Sequence, residues 1–207
     1  MTAENKNHWY DGLFYDRIIA PNQDKSFRIV KKIISKDSTV LDVGCGTGRL
    51  EFQLTDHCSK IDGVDLSTKN IATANKKLSM KKLNNVKFFH HDILKYLDEF
   101  KPKYDYAVLS YVIHEIDLEL RENILRTLSQ AVGKIILVDY LHPKANNISG
   151  KMITVVEFLA GRDHYNNFKT YMSNDGLTGL AHTSDLEITK EIRKNNSGTH
   201  IAVMTRI

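Results

Sequence analysis

Residues 40–50 read Val-Leu-Asp-Val-Gly-Cys-Gly-Thr-Gly-Arg-Leu, an apolar run that leads into three glycines at alternate positions. The apolar run is typical of a buried strand, and the residues after the glycines begin a helical pattern. Glycine permits a backbone turn with positive φ and lets a ligand approach main-chain atoms without a Cβ in the way. The helix that follows offers free N–H groups in its first turn. The stretch therefore predicts a strand, a ligand-binding turn and a helix, in that order.

The spacing of Gly44, Gly46 and Gly48 argues against a dinucleotide-binding turn. Such a turn has the spacing Gly-x-Gly-x-x-Gly and places a pyrophosphate at the helix N-terminus. Here the third glycine comes one position early, and Arg49 stands where the longer spacing needs glycine. A nucleotide-dependent oxidoreductase, which would need the longer spacing, is therefore the weaker alternative.

An acidic residue ends each of the next two predicted strands. Asp65 closes residues 60–65, next to Leu66, and its carboxylate could accept hydrogen bonds from both hydroxyls of a ribose. Asp92 follows residues 86–90 and could accept from the amino group of adenine, with Ile93 as apolar cover for the ring. Either acid alone would more often be a helix cap. The ordered set of a glycine loop and two strand-end acids predicts an adenosine-containing ligand.

With these features the chain resembles the class I S-adenosylmethionine-dependent methyltransferases, from about Tyr10 to its C-terminus. Residues 40–48 match the first motif of that family, and Asp65 and Asp92 match its second- and third-strand acids. The resemblance implies S-adenosylmethionine as cofactor and S-adenosylhomocysteine as product. Asp42 could hold the loop or meet the ammonium group of the cofactor. The expected cofactor contacts are Tyr15, Asp42, Gly44, Gly46, Gly48, Asp65, Leu66, Asp92, Ile93 and Ser110.

The opening segment, residues 9–20, is similar to the start of methyltransferases of the ubiquinone and menaquinone biosynthesis type. In such proteins an N-terminal aromatic side chain closes over the cofactor, and the resemblance implies that role for Tyr15 or Tyr10. The alternative is an aromatic side chain that packs a helix onto the domain. Residues 1–36 are expected to form an N-terminal helical cap.

Short apolar runs alternate with amphipathic stretches along the chain, which favours βαβ units around a parallel sheet. The predicted parallel strands are residues 39–43, 60–64, 86–90, 104–110 and 134–140. Two later runs, residues 186–193 and 199–207, flank turn residues and predict an antiparallel hairpin. The predicted fold class is α/β, a doubly wound, mostly parallel seven-stranded sheet with a C-terminal antiparallel hairpin. Ser67 and Asp117 are predicted helix caps.

Residues 143–181 form an insertion after the fifth predicted strand, with helical patterns at 148–161 and 165–173. This position should place the insertion over the carboxyl ends of the strands, where open α/β sheets bind ligands. We interpret it as a helical lid within a single methyltransferase domain that covers residues 1–207.

The candidate catalytic residues follow the fourth strand and lie in the lid. Methyl transfer from a sulfonium is an in-line displacement, so orientation can supply much of the catalysis. A base is needed only when the nucleophile must lose a proton. His114 suits that role because the pKa of a free histidine lies near neutrality; Glu115 and His164 are the other candidates, and a local structural role is the alternative for each. The expected substrate contacts are Tyr111, Tyr140, Arg162 and Tyr165, and no metal ligands are predicted.

The expected acceptor is a small molecule. Nucleic-acid and glutamine N-methyltransferases of the family carry an Asn/Asp-Pro-Pro-Tyr type motif after the fourth strand, where this chain has Ser-Tyr-Val-Ile at 110–113. The formal charge is only +4, from 29 basic and 25 acidic residues, and the basic residues are scattered, unlike a nucleic-acid footprint. The densest basic group is expected to be a solvated helix face: Lys76, Lys77, Lys81 and Lys82. An RNA methyltransferase and a non-catalytic cofactor-binding or interaction protein are the alternatives.

The chain is expected in the cytoplasm. No apolar stretch approaches the roughly 20 residues of a membrane span, and the first eight residues lack the apolar core of a secretory signal. Cys45 and Cys58 do not indicate a disulfide framework. We therefore expect a small-molecule partner, no DNA partner and no membrane span, with a homodimer retained as a candidate assembly.

Overall fold

The computed structural model describes residues 23–144, 153–154, 156–158 and 161–207. The strands are β1 (Thr39–Val43), β2 (Lys60–Asp65), β3 (Val86–His90), β4 (Tyr104–Ser110), β5 (Val132–Tyr140), β6 (Leu186–Lys194) and β7 (Thr199–Arg206). The helices are α1 (Asp24–Ile33), α2 (Arg49–Leu54), α3 (Thr68–Ser79), α4 (Ile93–Phe100), α5 (Leu118–Ala131), α6 (Arg162–Ser173) and α7 (Gly176–Thr183). A 3₁₀ turn covers Ile113–Glu115.

The seven strands form one mixed sheet in the order β3-β2-β1-β4-β5-β7-β6. β1, β2 and β3 pair in parallel, whereas β7 runs antiparallel to both β5 and β6. The predicted fold class is therefore confirmed, including the C-terminal antiparallel hairpin. The chain divides into two compact units, Met1–Val108 and Leu109–Ile207, and the single domain over residues 1–207 stays a prediction.

The first unit is built on β1 to β3, which pair with Thr39 opposite Lys60 and Ile61 opposite Val86. Most side chains of β1 and β2 are buried, as expected for parallel strands that are covered on both faces. Ser67 caps α3 as predicted, because its Oγ accepts a hydrogen bond from the Asn70 N–H at 3.2 Å.

A bidentate ion pair joins helix α1 to α2. Arg49 Nε and Nη2 each lie 2.7 Å from an oxygen of Asp24, and Gln53 donates to the same carboxylate at 2.9 Å. The Arg49 contacts hold the pKa of Asp24 below its ordinary value. Of the predicted N-terminal cap, residues 1–22 lie outside the described part of the chain.

The second unit is built on β5, β6 and β7. The centre of β5 is fully buried, and α5 buries Ile124, Leu125 and Leu128. Asp117 occupies the predicted N-cap position of α5. The Asp117 side chain makes no capping hydrogen bond, because its Oδ1 accepts instead from Asn167 Nδ2 of α6 at 2.9 Å.

The predicted lid is described only in part. Residues 153–154 and 156–158 are helical, as is α6, and α7 follows as a helix that was not predicted. The rest of residues 145–160 lies outside the described residues. Among the helices that the structure describes, none combines the length and the apolarity needed to cross a membrane.

Candidate functional site

The glycine loop of the first unit depends on glycine for both conformation and space. Gly44, Gly46 and Gly48 have φ of 74°, 55° and 80°, a region that side chains with a Cβ rarely adopt. At position 48 a Cβ would also lie 2.5 Å from Cζ of Phe88. The three glycines therefore allow the loop to follow a main-chain path that residues with a Cβ would disfavour.

Asp65 fixes this loop to the end of β2. Its two carboxylate oxygens accept from the N–H groups of Gly46 at 2.8 Å and of Ser67 at 2.7 Å. The contact of Asp65 with ribose hydroxyls stays a prediction. Loop positioning is a role that the sequence analysis did not assign to this residue.

Asp42, which precedes the turn, lies near the carboxyl group of Glu51, and both residues are buried. Burial raises the pKa of Asp42 to about 8, and the nearby Asp65 adds to the shift. Burial and the charge of Asp42 raise the pKa of Glu51 well above its ordinary value. The two carboxyl groups are close enough for each to shift the pKa of the other. Glu51 was not singled out from the sequence.

Lys77 also contacts the loop. Its Nζ donates to the Thr47 carbonyl oxygen at 3.3 Å and contacts Thr47 Oγ1 at 3.1 Å. The expectation of a solvated lysine face is therefore wrong at Lys77, which reaches back from α3 to a buried loop residue.

The remaining predicted cofactor residues of this unit lie at the ends of β2 and β3. Asp92 is the N-cap of α4, and its Oδ1 accepts from the Lys95 N–H at 3.0 Å. Ile93 is buried at the start of α4, and Leu66 is half-buried. Tyr15 lies outside the described residues. The contact of Asp92 with adenine stays a prediction.

In the second unit, the chain turns sharply after β4 at Tyr111. Tyr111 has φ of 57°, which is an outlier for a bulky side chain. Its N–H donates to the Val138 carbonyl at 2.7 Å, and its hydroxyl lies 3.1 Å from Oγ1 of Thr199. Next to it, Ser110 Oγ is buried with no hydrogen-bond partner among the described residues. Strained residues of this kind concentrate at functional sites.

His114 is buried and held by Asp139 of β5. Nδ1 of the ring lies 2.7 Å from Asp139 Oδ1, and the His114 N–H donates to Asp139 Oδ2 at 3.3 Å. Burial disfavours the imidazolium, but the charges of Asp139 and Glu157 outweigh burial and raise the pKa of His114 well above its ordinary value. The surroundings of His114 therefore favour its protonated form more than water does for the free histidine on which the predicted role was based.

The three predicted catalytic residues converge around a fourth, Glu157. Glu157 Oε2 lies 2.5 Å from His164 Nε2 and 3.4 Å from His114 Nε2. Glu115 Oε1 lies 3.8 Å from His164 Nε2 and 3.9 Å from His114 Nε2. Burial would raise the pKa of Glu157, but the two histidines lower it below its ordinary value. The structure thus brings His114, Glu115 and His164 together, and these are donor types that can also hold a metal ion.

Tyr140 joins the same cluster, and Tyr111 packs against it. The Tyr140 hydroxyl donates to Glu157 Oε1 at 2.7 Å, and its ring centroid lies 4.7 Å from that of His114. Burial and the charge of Glu157 raise the pKa of Tyr140 well above its ordinary value. The ring of Tyr111 lies 5.9 Å from that of Tyr140.

The two other predicted substrate residues are at the start of α6. Arg162 is exposed, and Tyr165 is half-buried. The Tyr165 ring packs edge-on against Phe158 at 5.6 Å and stacks with Phe168 at 6.5 Å. These contacts are aromatic packing, and the roles in substrate binding stay predictions.

A fully buried arginine fixes the backbone of the cluster. Arg121 of α5 donates to the carbonyl groups of Ile116 at 2.7 Å, His114 at 3.1 Å and Asn167 at 2.6 Å. Asn167 in turn donates from Nδ2 to the Glu115 carbonyl at 2.9 Å. Both Arg121 and Glu157 were missed from the sequence, and a charged residue within an otherwise apolar helical face is the local signal that could have found each.

Comparison with known proteins gives a partial sequence match. Residues 40–134 match a family described as a methyltransferase domain. An uncharacterized RNA methyltransferase from Mycoplasma mobile is 25% identical over 103 residues, which is 50% of this chain and 28% of that relative. The chain thus spans under a third of that relative's length.

Two solved structures share the fold over nearly the whole chain. Magnesium protoporphyrin IX methyltransferase from Synechocystis PCC 6803 gives a TM-score of 0.64 at 17% identity, covering 94% of this chain and 88% of that chain. The N-methyltransferase NodS from Bradyrhizobium japonicum WM9, in complex with S-adenosyl-L-homocysteine, gives 0.64 at 14% identity, covering 93% and 91%. The closer likeness to the ubiquinone and menaquinone type stays a prediction. The chain is therefore similar to methyltransferases in sequence over residues 40–134 and in fold over nearly its whole length.

Proposed function

We propose that the protein transfers a methyl group from S-adenosylmethionine to a small-molecule acceptor. The observation that carries the cofactor assignment is the glycine loop, in which three glycines have positive φ and the Gly46 N–H donates to Asp65 at the end of β2. Solved relatives of this fold include one crystallised with S-adenosyl-L-homocysteine, which supports the same ligand class here. Asp42, Asp92, Ile93 and Ser110 are the further proposed cofactor contacts.

The acceptor is assigned to the polar cluster of the second unit. His114, Glu157 and His164 are all buried, so an acceptor that reaches them must be small enough to enter among buried side chains. We assign these groups and Glu115 to orienting the polar end of the acceptor, since alignment supplies much of the rate of a displacement. Tyr111, Tyr140, Arg162 and Tyr165 are the proposed residues that select the acceptor.

An RNA acceptor is the second candidate, and one observation favours it: a relative of the chain is described as an RNA methyltransferase. Against it stand the modest charge of +4 and the burial of the polar cluster.

Cofactor binding is tested by calorimetry on ligand-free protein. We expect micromolar binding of S-adenosylmethionine, roughly 8 kcal/mol, and a loss of about tenfold or more in Asp65→Ala, or at least about 1.4 kcal/mol. Asp98→Ala, at an exposed position of α4, serves as the matched control and should bind like wild type. If the wild-type protein shows no binding, the methyltransferase proposal is wrong.

Acceptor class is tested with methyl-labelled S-adenosylmethionine and a cell extract. Label in the small-molecule fraction supports the proposal, and label in the RNA fraction supports the second candidate. Cofactor binding without label in any fraction would indicate a non-catalytic protein on the methyltransferase fold.

A further inference from the structure

Four side chains in the second unit point nitrogen or oxygen atoms at one another from separate parts of the chain. His114 and Glu115 come from the 3₁₀ turn, Glu157 from the helical residues 156–158, and His164 from α6. Two imidazoles and two carboxylates are a common donor set for transition metals in proteins.

The spacing of these atoms is close to that of a coordination sphere. Metal bonds of about 2.0–2.2 Å in a tetrahedral arrangement put neighbouring donor atoms about 3.3–3.6 Å apart. The His114 Nε2 to Glu157 Oε2 distance is 3.4 Å, and Glu115 Oε1 lies 3.8 and 3.9 Å from the two Nε2 atoms. The 2.5 Å contact between His164 and Glu157 would have to open by about 1 Å for both to bind one ion.

The surroundings of two donors already fix the atoms that would bind. Asp139 holds Nδ1 of His114, which leaves Nε2 as the ligand atom and repeats the carboxylate–histidine–metal arrangement. The Tyr140 hydroxyl donates to Oε1 of Glu157, and Oε2 is the oxygen that faces the two histidines. Supporting contacts of this kind are what a metal site needs beyond its ligands.

The charge of the cluster also suits a divalent cation. With both imidazoles neutral, the carboxylates of Glu115, Asp139 and Glu157 exceed the single guanidinium of Arg121 by two negative charges. Unpaired charge is costly in a protein interior. One divalent cation cancels that excess.

We propose that the second unit binds a divalent transition metal of the zinc class through His114, His164 and Glu157. Glu115 is the fourth ligand, on the more exposed side of the site. The inference does not depend on methyl transfer, because metal binding is measured on the protein without cofactor.

The test uses tag-free protein stripped with a chelator and titrated with Zn²⁺ against a competing chelator, then with Co²⁺ while visible absorption is recorded. We expect one ion per chain, micromolar or tighter affinity for Zn²⁺, and visible Co²⁺ bands of a four-coordinate site. Glu157→Gln and His164→Gln should each weaken Zn²⁺ binding at least tenfold and abolish the bands. Both variants keep side-chain size, and circular dichroism verifies that each is folded.

Matched controls are His182→Gln and Glu119→Gln, which lie at exposed positions of α7 and α5 and should bind Zn²⁺ like wild type. Saturable binding that is unchanged in both site variants would place the metal elsewhere and overturn the proposal. Absence of saturable binding in the wild-type protein would overturn the proposal as well.

Discussion

Asp139 holds His114 at two points: its Oδ1 lies 2.7 Å from the ring Nδ1, and its Oδ2 accepts the His114 main-chain N–H at 3.3 Å. One buried carboxylate therefore sets both the backbone position and the ring orientation of the same histidine. A change at position 139 acts on the geometry of the cluster as well as on its charge.

Asp139→Asn should be strongly destabilising. The substitution leaves a buried imidazolium with less compensating charge, and removal of one partner from a buried ion pair costs about 3–5 kcal/mol. Urea denaturation would measure the change in free energy of unfolding. Asp163→Asn, at an exposed position of α6, should change it by less than about 0.5 kcal/mol, and equal effects at the two positions would contradict the role given to Asp139.

Arg121→Met tests the arginine that joins α5 to the 3₁₀ turn and α6. The variant keeps much of the side-chain volume but removes the donors to three carbonyl groups, each a charge-assisted bond of about 1.5–3 kcal/mol. We expect a loss of at least about 3 kcal/mol of stability and a fall in the turnover number of the methyl-transfer reaction. Arg126→Met on the same helix, where the arginine is exposed, should cost less than about 1 kcal/mol. A similar loss of stability at both positions would contradict the structural role given to Arg121.

The Asp42 and Glu51 pair should make the protein less stable as pH rises. Both pKa values are raised in the folded state, so above about pH 4 the unfolded chain releases protons that the folded chain retains. Stability from this pair is fully present below about pH 4, and the Asp42 contribution is lost as pH rises through its folded pKa of about 8. Glu51→Gln removes one of the two groups.

We therefore expect the downward slope of unfolding free energy between about pH 5 and pH 8 to be roughly halved in Glu51→Gln, from at most about 1.4 kcal/mol per pH unit for each proton. Glu187→Gln, at an exposed position of β6, should keep the wild-type slope. Parallel slopes for wild type and Glu51→Gln would show that the pair is ionised in the folded protein.

Gly48→Ala should weaken cofactor binding. The added Cβ meets both a positive φ and the Phe88 ring at 2.5 Å, so the loop or the ring has to move. Calorimetry should show at least about a tenfold loss of affinity for S-adenosylmethionine, which corresponds to about 1.4 kcal/mol. Gly161→Ala also has a positive φ but nothing within 4 Å of the new Cβ, and it should keep wild-type affinity. Unchanged affinity in Gly48→Ala would show that the glycine loop does not take part in cofactor binding.

Much of the sheet follows from local sequence. Predicted strands 39–43, 86–90 and 104–110 coincide with β1, β3 and β4, because buried parallel strands are short apolar runs that end at turn residues. Helix α7 was not predicted, since its two glycines lower its helix propensity.

The candidate site was predictable only where a residue's role follows from its position on a strand or turn. His114 and Glu115 could be selected because they follow a strand end. Glu157 was missed, since its partner His114 is far away in sequence and its one local signal is a charge within an apolar run. Arg121 is bound to a carbonyl group 46 residues away, and arginine is rarely buried, so sequence reasoning assigns it to the surface.

Because Tyr111 has a left-handed backbone conformation, substitution by glycine can measure what its aromatic side chain contributes to stability and activity. A glycine at position 111 would relieve a backbone cost of roughly 1–2 kcal/mol and would lose roughly 0.5–1 kcal/mol to the greater freedom of the unfolded chain. These backbone effects have opposite signs, and their sum does not destabilise Tyr111→Gly. Stability or activity that the variant loses is therefore due to the tyrosine side chain, which packs on Tyr140 and contacts Thr199 through its hydroxyl.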